Sequence, residues 1–309
     1  MRARDRRFGF VAVVVALLVV ATGVHADAAR PAATRPGVAP FRGLGTWVDV
    51  YDYGPNFQGS PSGPPAVTAE SVDDMAKLGV RTLYLQAAQD DARSEGSLVD
   101  RKLVGDILRR AHRRGVRVVA WYLPHFEDID RDLRHIRAMS DFRAGGQRFD
   151  GIALDLEWTS DVKDPARRNR ALVALTEQTR KAVTDVPLGA IVLEPVLLED
   201  VNPAYWPNFP WKKLSPFVDV WLPMAYWTNR TAASGWNDGY RYTSENIRRV
   251  RANVANRNAV VHVIGGVADQ TKVVDTTGFV RAAKLRRAIG WSVYDYVTTS
   301  SSAWPRLRG

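Results

Sequence analysis

The chain has 309 residues, no cysteine and a formal net charge of +10, with 46% hydrophobic and 25% charged residues. Without thiols, a disulfide framework, a reactive cysteine and any thiolate metal site are excluded, so stability has to come from packing. The basic residues are dispersed as pairs (Arg109-Arg110, Arg113-Arg114, Arg167-Arg168, Arg248-Arg249), with no zinc-finger or helix-turn-helix pattern, which predicts solvated helix surface and no nucleic-acid partner; association with an anionic cell envelope stays open.

At the start, Arg2, Arg4, Arg6 and Arg7 precede an apolar run that ends at Val24-His25-Ala26, the pattern of a signal peptide over 1–26 and hence of a secreted, extracytoplasmic protein. The run is short for a membrane span and contains Gly9 and Gly23, so a retained anchor is the lesser alternative. Residues 27–41, Ala-rich with Pro31, Pro36 and Pro40, read as a flexible leader. From there the pattern repeats. Short apolar strands are predicted at 44–50, 81–86, 116–122, 150–157, 188–194, 218–224, 258–264 and 288–294. Amphipathic helices are predicted between them at 68–78, 100–114, 128–142, 165–183, 243–254 and 277–288. The fifth connection, 199–216, holds Pro203, Pro207, Pro210 and Pro216; with Trp206, Phe209 and Trp211 it reads as a packed loop with a short helical turn. Eight alternating units predict an α/β fold, a single (β/α)8 TIM barrel over 42–309 with a shortened last helix after Trp304. No G-x-G-x-x-G follows the first strand, which speaks against a doubly wound sheet.

In such a barrel the chemistry sits where the strands end. The fourth strand is the most informative, because alternation puts Ala153, Asp155 and Glu157 on one face, with the two carboxylates about 6.6 Å apart, near enough to shift each other's proton affinity. The alternative is a solvated or salt-bridged strand end. Other strand ends supply Trp47, Asp49 and Tyr51, Gln86, Tyr122 and His125, Trp158, Glu194, then Met224, Tyr226 and Trp227, and finally Trp291, Tyr294 and Asp295. Aromatic rings beside carboxylates suit sugars, whose C–H faces stack while their hydroxyls need acceptors; any single ring can equally be core. The five histidines lack a zinc spacing and no Gly-x-Ser-x-Gly occurs, so no metal, no cofactor and no serine nucleophile is expected.

The run Asp150-Gly151-Ile152-Ala153-Leu154-Asp155-Leu156-Glu157 resembles the Asp-Gly-x-Asp-x-Asp-x-Glu signature of the chitinase-like family 18 glycoside hydrolases. Met224-Ala225-Tyr226 is similar to that family's Met-x-Tyr, and Gly290-Trp291-Ser292 to its eighth-strand tryptophan. The resemblance implies a retaining hydrolase acting on a polysaccharide, with N-acetylhexosamine units as in chitin or peptidoglycan glycan, in which the substrate's acetamido carbonyl is the nucleophile. Glu157 is then the general acid/base, Asp155 orients the acetamide, Tyr226 bonds its oxygen and Trp291 floors the sugar. Three departures bear on the substrate more than on Glu157: Ala153 replaces the middle aspartate, Val119-Ala120-Trp121-Tyr122 replaces the family's Ser-x-Gly-Gly, and Trp227 follows Tyr226 where an aspartate or asparagine is usual. A two-carboxylate mechanism would pair Glu157 with Glu194, since the seventh strand has no Glu at its end and Asp269 lies beyond it. The alternative from another class is a non-catalytic barrel that binds glycan or cell wall. Oligomeric state leaves no mark in the sequence.

Overall fold

A computed structural model describes residues 35–58 and 64–309. The expected signal peptide and most of the leader lie outside the described residues.

Eight strands, β1 Gly43–Val48, β2 Thr82–Gln86, β3 Arg117–Tyr122, β4 Gly151–Leu156, β5 Leu188–Val192, β6 Val220–Pro223, β7 His262–Val267 and β8 Gly290–Tyr294, pair in parallel in sequence order, with β1 also beside β8. Between β6 and β7 the ladder thins to bridges at Trp221/Val261 and Met224/Ile264. There Trp221 N–H donates to Val260 O at 2.9 Å and Ala225 N–H to Ile264 O at 2.8 Å, which closes the sheet into a barrel.

Each strand is followed by a helix, the first also by a single helical turn at Val50–Tyr53: α1 Ser71–Lys77, α2 Arg101–Arg113, α3 Ile129–Asp141, α4 Pro165–Ala182, α5 Trp211–Leu214, α6 Gly239–Asn253, α7 Val273–Leu285 and α8 Trp304–Leu307. Four of the long ones begin at an aspartate (Asp100, Asp128, Asp164, Asp238) whose carboxylate accepts a backbone N–H three residues on, satisfying an orphan donor and complementing the helix dipole. Much of the basic surface is paired: Asp73 on α1 accepts from both Arg110 and Arg114 at the end of α2.

The seventh strand, the helix after it and the end of the leader differ from the expectation, whereas the fifth connection is the packed loop with a short helical turn that the sequence predicts. The seventh strand begins at His262 instead of 258, because Asn256 O accepts the N–H of Ala259 in a turn, and α7 starts four residues early, at Val273. The fifth connection is a turn at Leu197–Val201 followed by α5, with Trp206, Phe209 and Trp211 ring against ring at 5.3 and 4.6 Å. The end of the leader is packed rather than free: Phe41 is fully buried.

Phe41 closes the N-terminal end of the barrel, and the strands make room for it. A Cβ on Gly151 would lie 3.1 Å from its ring and one on Gly189 2.8 Å. Higher up, Tyr84 stacks on Trp47 at 4.3 Å. Beside them His262 is fully buried, and its hydrogen bonds define its tautomer. Nδ1 contacts Phe41 O at 2.9 Å, an atom that can only accept, so Nδ1 carries the proton. Nε2 therefore accepts the Ser292 hydroxyl at 3.0 Å, and Ser292 Oγ accepts Trp47 Nε1–H at 2.8 Å. Burial pushes the imidazole down to about 4 and keeps it neutral.

Candidate active site

On β4 the interior face is Gly151, Ala153 and Asp155, and the residues between them pack outward. Asp155 is 8% exposed and its Oδ1 has no hydrogen-bond partner among the described residues. Glu157, one step past the strand, is half-buried. Burial raises the proton affinity of both carboxyls, and the charge of Glu157 adds to the rise at Asp155, which lies well above the ordinary value. The two therefore share protons as a pair and lose them in steps that belong to both.

Tyr226 belongs to the same field. Burial first, then the charges of Glu157, Asp155 and Glu194, hold its phenol neutral far into alkali. Glu194 is 2% exposed; its Oε1 accepts Tyr242 O–H at 2.9 Å and Arg230 Nη2–H at 3.2 Å. Burial, with a contribution from Glu157, pushes it up to about 7. Its carboxyl is thus engaged by α6 and the β6–α6 loop rather than free. Asp269 is exposed beyond β7.

The remaining sequence-predicted positions divide by the face their strands present. Trp47 points inward but is 1% exposed, a floor beneath the mouth. Met224 is buried at the end of β6, and Gln86 Oε1 accepts the Val50 N–H at 3.1 Å, bracing the loop after β1. Asp49 Oδ2 accepts Tyr294 O–H at 2.6 Å. Three of the expected sugar-binding rings face the helices instead. Tyr122 donates to Asp132 Oδ1 at 2.8 Å and stacks on His135. Trp227 packs on Phe279 of α7 at 5.3 Å. Trp291 donates through Nε1 to Leu307 O at 2.7 Å, with Lys284 Nζ 5.6 Å from its ring. In each case the neighbouring parity faces inward, bringing Trp121 and Tyr294 to the interior in place of Tyr122 and Trp291.

Two further features escaped the sequence reading. Tyr205, in the irregular fifth connection, is 42% exposed, and burial followed by the charge of Glu157 raises its phenol above the ordinary value. Asp49, Asp52 and Asp295 gather carboxylate oxygens within 4.8 Å of one another between β1 and β8. Oxygen donors so grouped suit a hard cation. Here they are engaged by Tyr294 O–H and by the backbone N–H groups of Asp49, Tyr51 and Thr298. Burial, then repulsion from Asp49 and Asp295, raises Asp52 to about 7. Beside Glu157, the ring of Trp158 lies flat on His125 at 4.5 Å, and His125 Nδ1 sits 3.2 Å from Asp161 and 3.5 Å from Asp90. The loops after β2, β3 and β4 are thereby joined.

Among solved structures the likeness is one of architecture. A mutant family 18 chitinase from Cycas revoluta in complex with (GlcNAc)4 superposes with a TM-score of 0.59 at 12% identity, covering 86% of this chain and 98% of that one. The barrel has the fold of the family 18 chitinases. It shares that fold with a chitinase-like agglutinin from Robinia pseudoacacia (TM-score 0.56, 12% identity, 86% and 99% covered). A family 1 β-glucosidase from Thermotoga maritima also matches, with a TM-score of 0.57 at 11% identity, over 82% of this chain and 88% of that one. No protein-family model and no curated protein matches the sequence. Hydrolases of two families and an agglutinin share the fold, so function has to be argued from the site.

Proposed function

We propose that the protein is a glycoside hydrolase of the extracytoplasmic space that cleaves a polysaccharide, with Glu157 as general acid/base and Asp155 as its electrostatic partner. The observation that carries this reading is the Asp155–Glu157 pair at the C-terminal mouth of the barrel, where burial holds a proton that an ordinary surface carboxyl would lose. Tyr226 supports it as a neutral O–H donor in the same field. The charge pattern of residues 1–26 supports export. The (GlcNAc)4 in complex with the Cycas revoluta protein makes an N-acetylhexosamine polymer the first substrate to try.

A glycan-binding barrel without turnover is the second reading. It is favoured by Ala153, where the family signature has a carboxylate, and by the outward turn of Trp291, which leaves Tyr294 as the inward ring of β8. Chitin oligosaccharides, peptidoglycan fragments and plain α- and β-glucans incubated with the mature protein separate the two. Products from the wild type and none from Glu157→Gln support hydrolysis; binding without products from either protein supports the second reading.

A further inference from the structure

Two buried polar atoms of opposite sense lie on the inward faces of neighbouring strands near the barrel mouth, and neither has a partner among the described residues. One is Trp121 Nε1–H on β3, a donor only, on a side chain 5% exposed. The other is Asp155 Oδ1 on β4, on a side chain 8% exposed. The inward direction of Trp121 is set by its edge-on contact with Trp47, centroids 6.0 Å apart. Across the register it stands opposite Gln86 on β2 and Ala153 on β4. The methyl of Ala153 leaves room for the indole where a longer side chain would crowd it. A buried N–H without an acceptor is costly, and native interiors leave few such groups. An orphan donor and an orphan acceptor on the inward faces of adjacent strands near the mouth are therefore best explained by a ligand that satisfies both.

We propose that Trp121 is a specificity-determining residue of the carbohydrate site. Its indole N–H donates to an oxygen of the bound sugar residue, and that residue donates a hydrogen of its own to Asp155. A sugar hydroxyl does both with one atom; an acetamido group does so with its carbonyl oxygen and its N–H. The inference rests on the reading of the mouth as a carbohydrate site. It gives the departure at Val119-Ala120-Trp121-Tyr122 a role in recognition, with Ala153 as the small partner that makes the indole possible.

The test uses the full mature chain with 15N-labelled tryptophan indoles, titrated separately with chitotetraose and cellotetraose. The Trp121 resonance is assigned by its disappearance in Trp121→Phe, a variant that keeps an aromatic ring and deletes the N–H; its thermal melt reports that it folds. The resonance of Trp121 is expected to shift on saturation with at least one sugar. The same shift is expected in Glu157→Gln, and Trp121→Phe should bind that sugar about tenfold more weakly. A response to chitotetraose alone assigns the acetamido group as the partner, and equal responses assign a hydroxyl. Sugar binding that leaves the Trp121 resonance in place, or that is as tight in Trp121→Phe, overturns this inference while leaving hydrolysis by Glu157 intact. Failure of both sugars to bind, measured by calorimetry, overturns the inference together with the carbohydrate reading of the mouth.

Discussion

At the scale of single residues, the barrel mouth stores protons. Asp155 and Glu157 hold theirs because water is excluded, and the negative charge that remains after the first loss makes the second harder. The alkaline limb of kcat/KM should therefore lie above the ordinary carboxylate range. In Asp155→Asn the pair's last proton is gone and Glu157 titrates alone, with only the rise that burial gives it, so the limb should move down; an unmoved limb would separate the two carboxyls. Asp52 makes a similar prediction for stability. The folded protein keeps its proton up to about 7, whereas the unfolded chain gives it up near the ordinary 3.8, so stability falls as pH rises across that window. Asp52→Asn retains an oxygen for the Asp49 N–H. It should stabilise the protein by about 2–4 kcal/mol at pH 8, with the gain vanishing below pH 4, as thermal melts at the two pH values will read. Ser292→Ala tests the interior network. It strands His262 Nε2 and Trp47 Nε1 together and should cost about 2–4 kcal/mol in denaturant unfolding.

At the scale of elements, strand and helix positions were legible because the two periodicities differ, and the aspartate caps mark where four long helices begin. Which face a strand presents was legible only on β4, where Asp155 breaks an apolar run. Parallel barrel strands are buried on both sides, so hydrophobicity carries no parity signal. Tyr122 and Trp291 look as suitable for a sugar as Trp121 and Tyr294, yet a one-residue step turns them into the helical layer. Tyr205 was hidden for another reason: its segment has no period to read. The leader's last residues were misjudged because proline marks a loop, whether free or packed, and only the fold shows Phe41 seated against Gly151 and Gly189. Gly189→Ala should cost about 1–3 kcal/mol through its clash with that ring and Leu222, and markedly less in a Phe41→Leu background, a coupling that a double-mutant cycle measures.

At the scale of the whole molecule, closure of the sheet between β6 and β7 brings Tyr226 to the same mouth as β4, although 69 residues separate it from Glu157 in the numbering. Fold alone does not choose between cleaving a glycan and holding it. The decision lies in whether Glu157 delivers a proton to a leaving oxygen. The most direct measurement compares wild type and Glu157→Gln on an oligosaccharide, whose leaving sugar needs protonation, and on its 2,4-dinitrophenyl glycoside, whose leaving group does not. General acid catalysis predicts a loss of about 10²–10⁴-fold on the oligosaccharide and a far smaller loss on the aryl glycoside. Equal losses on the two, or none on either, would contradict it.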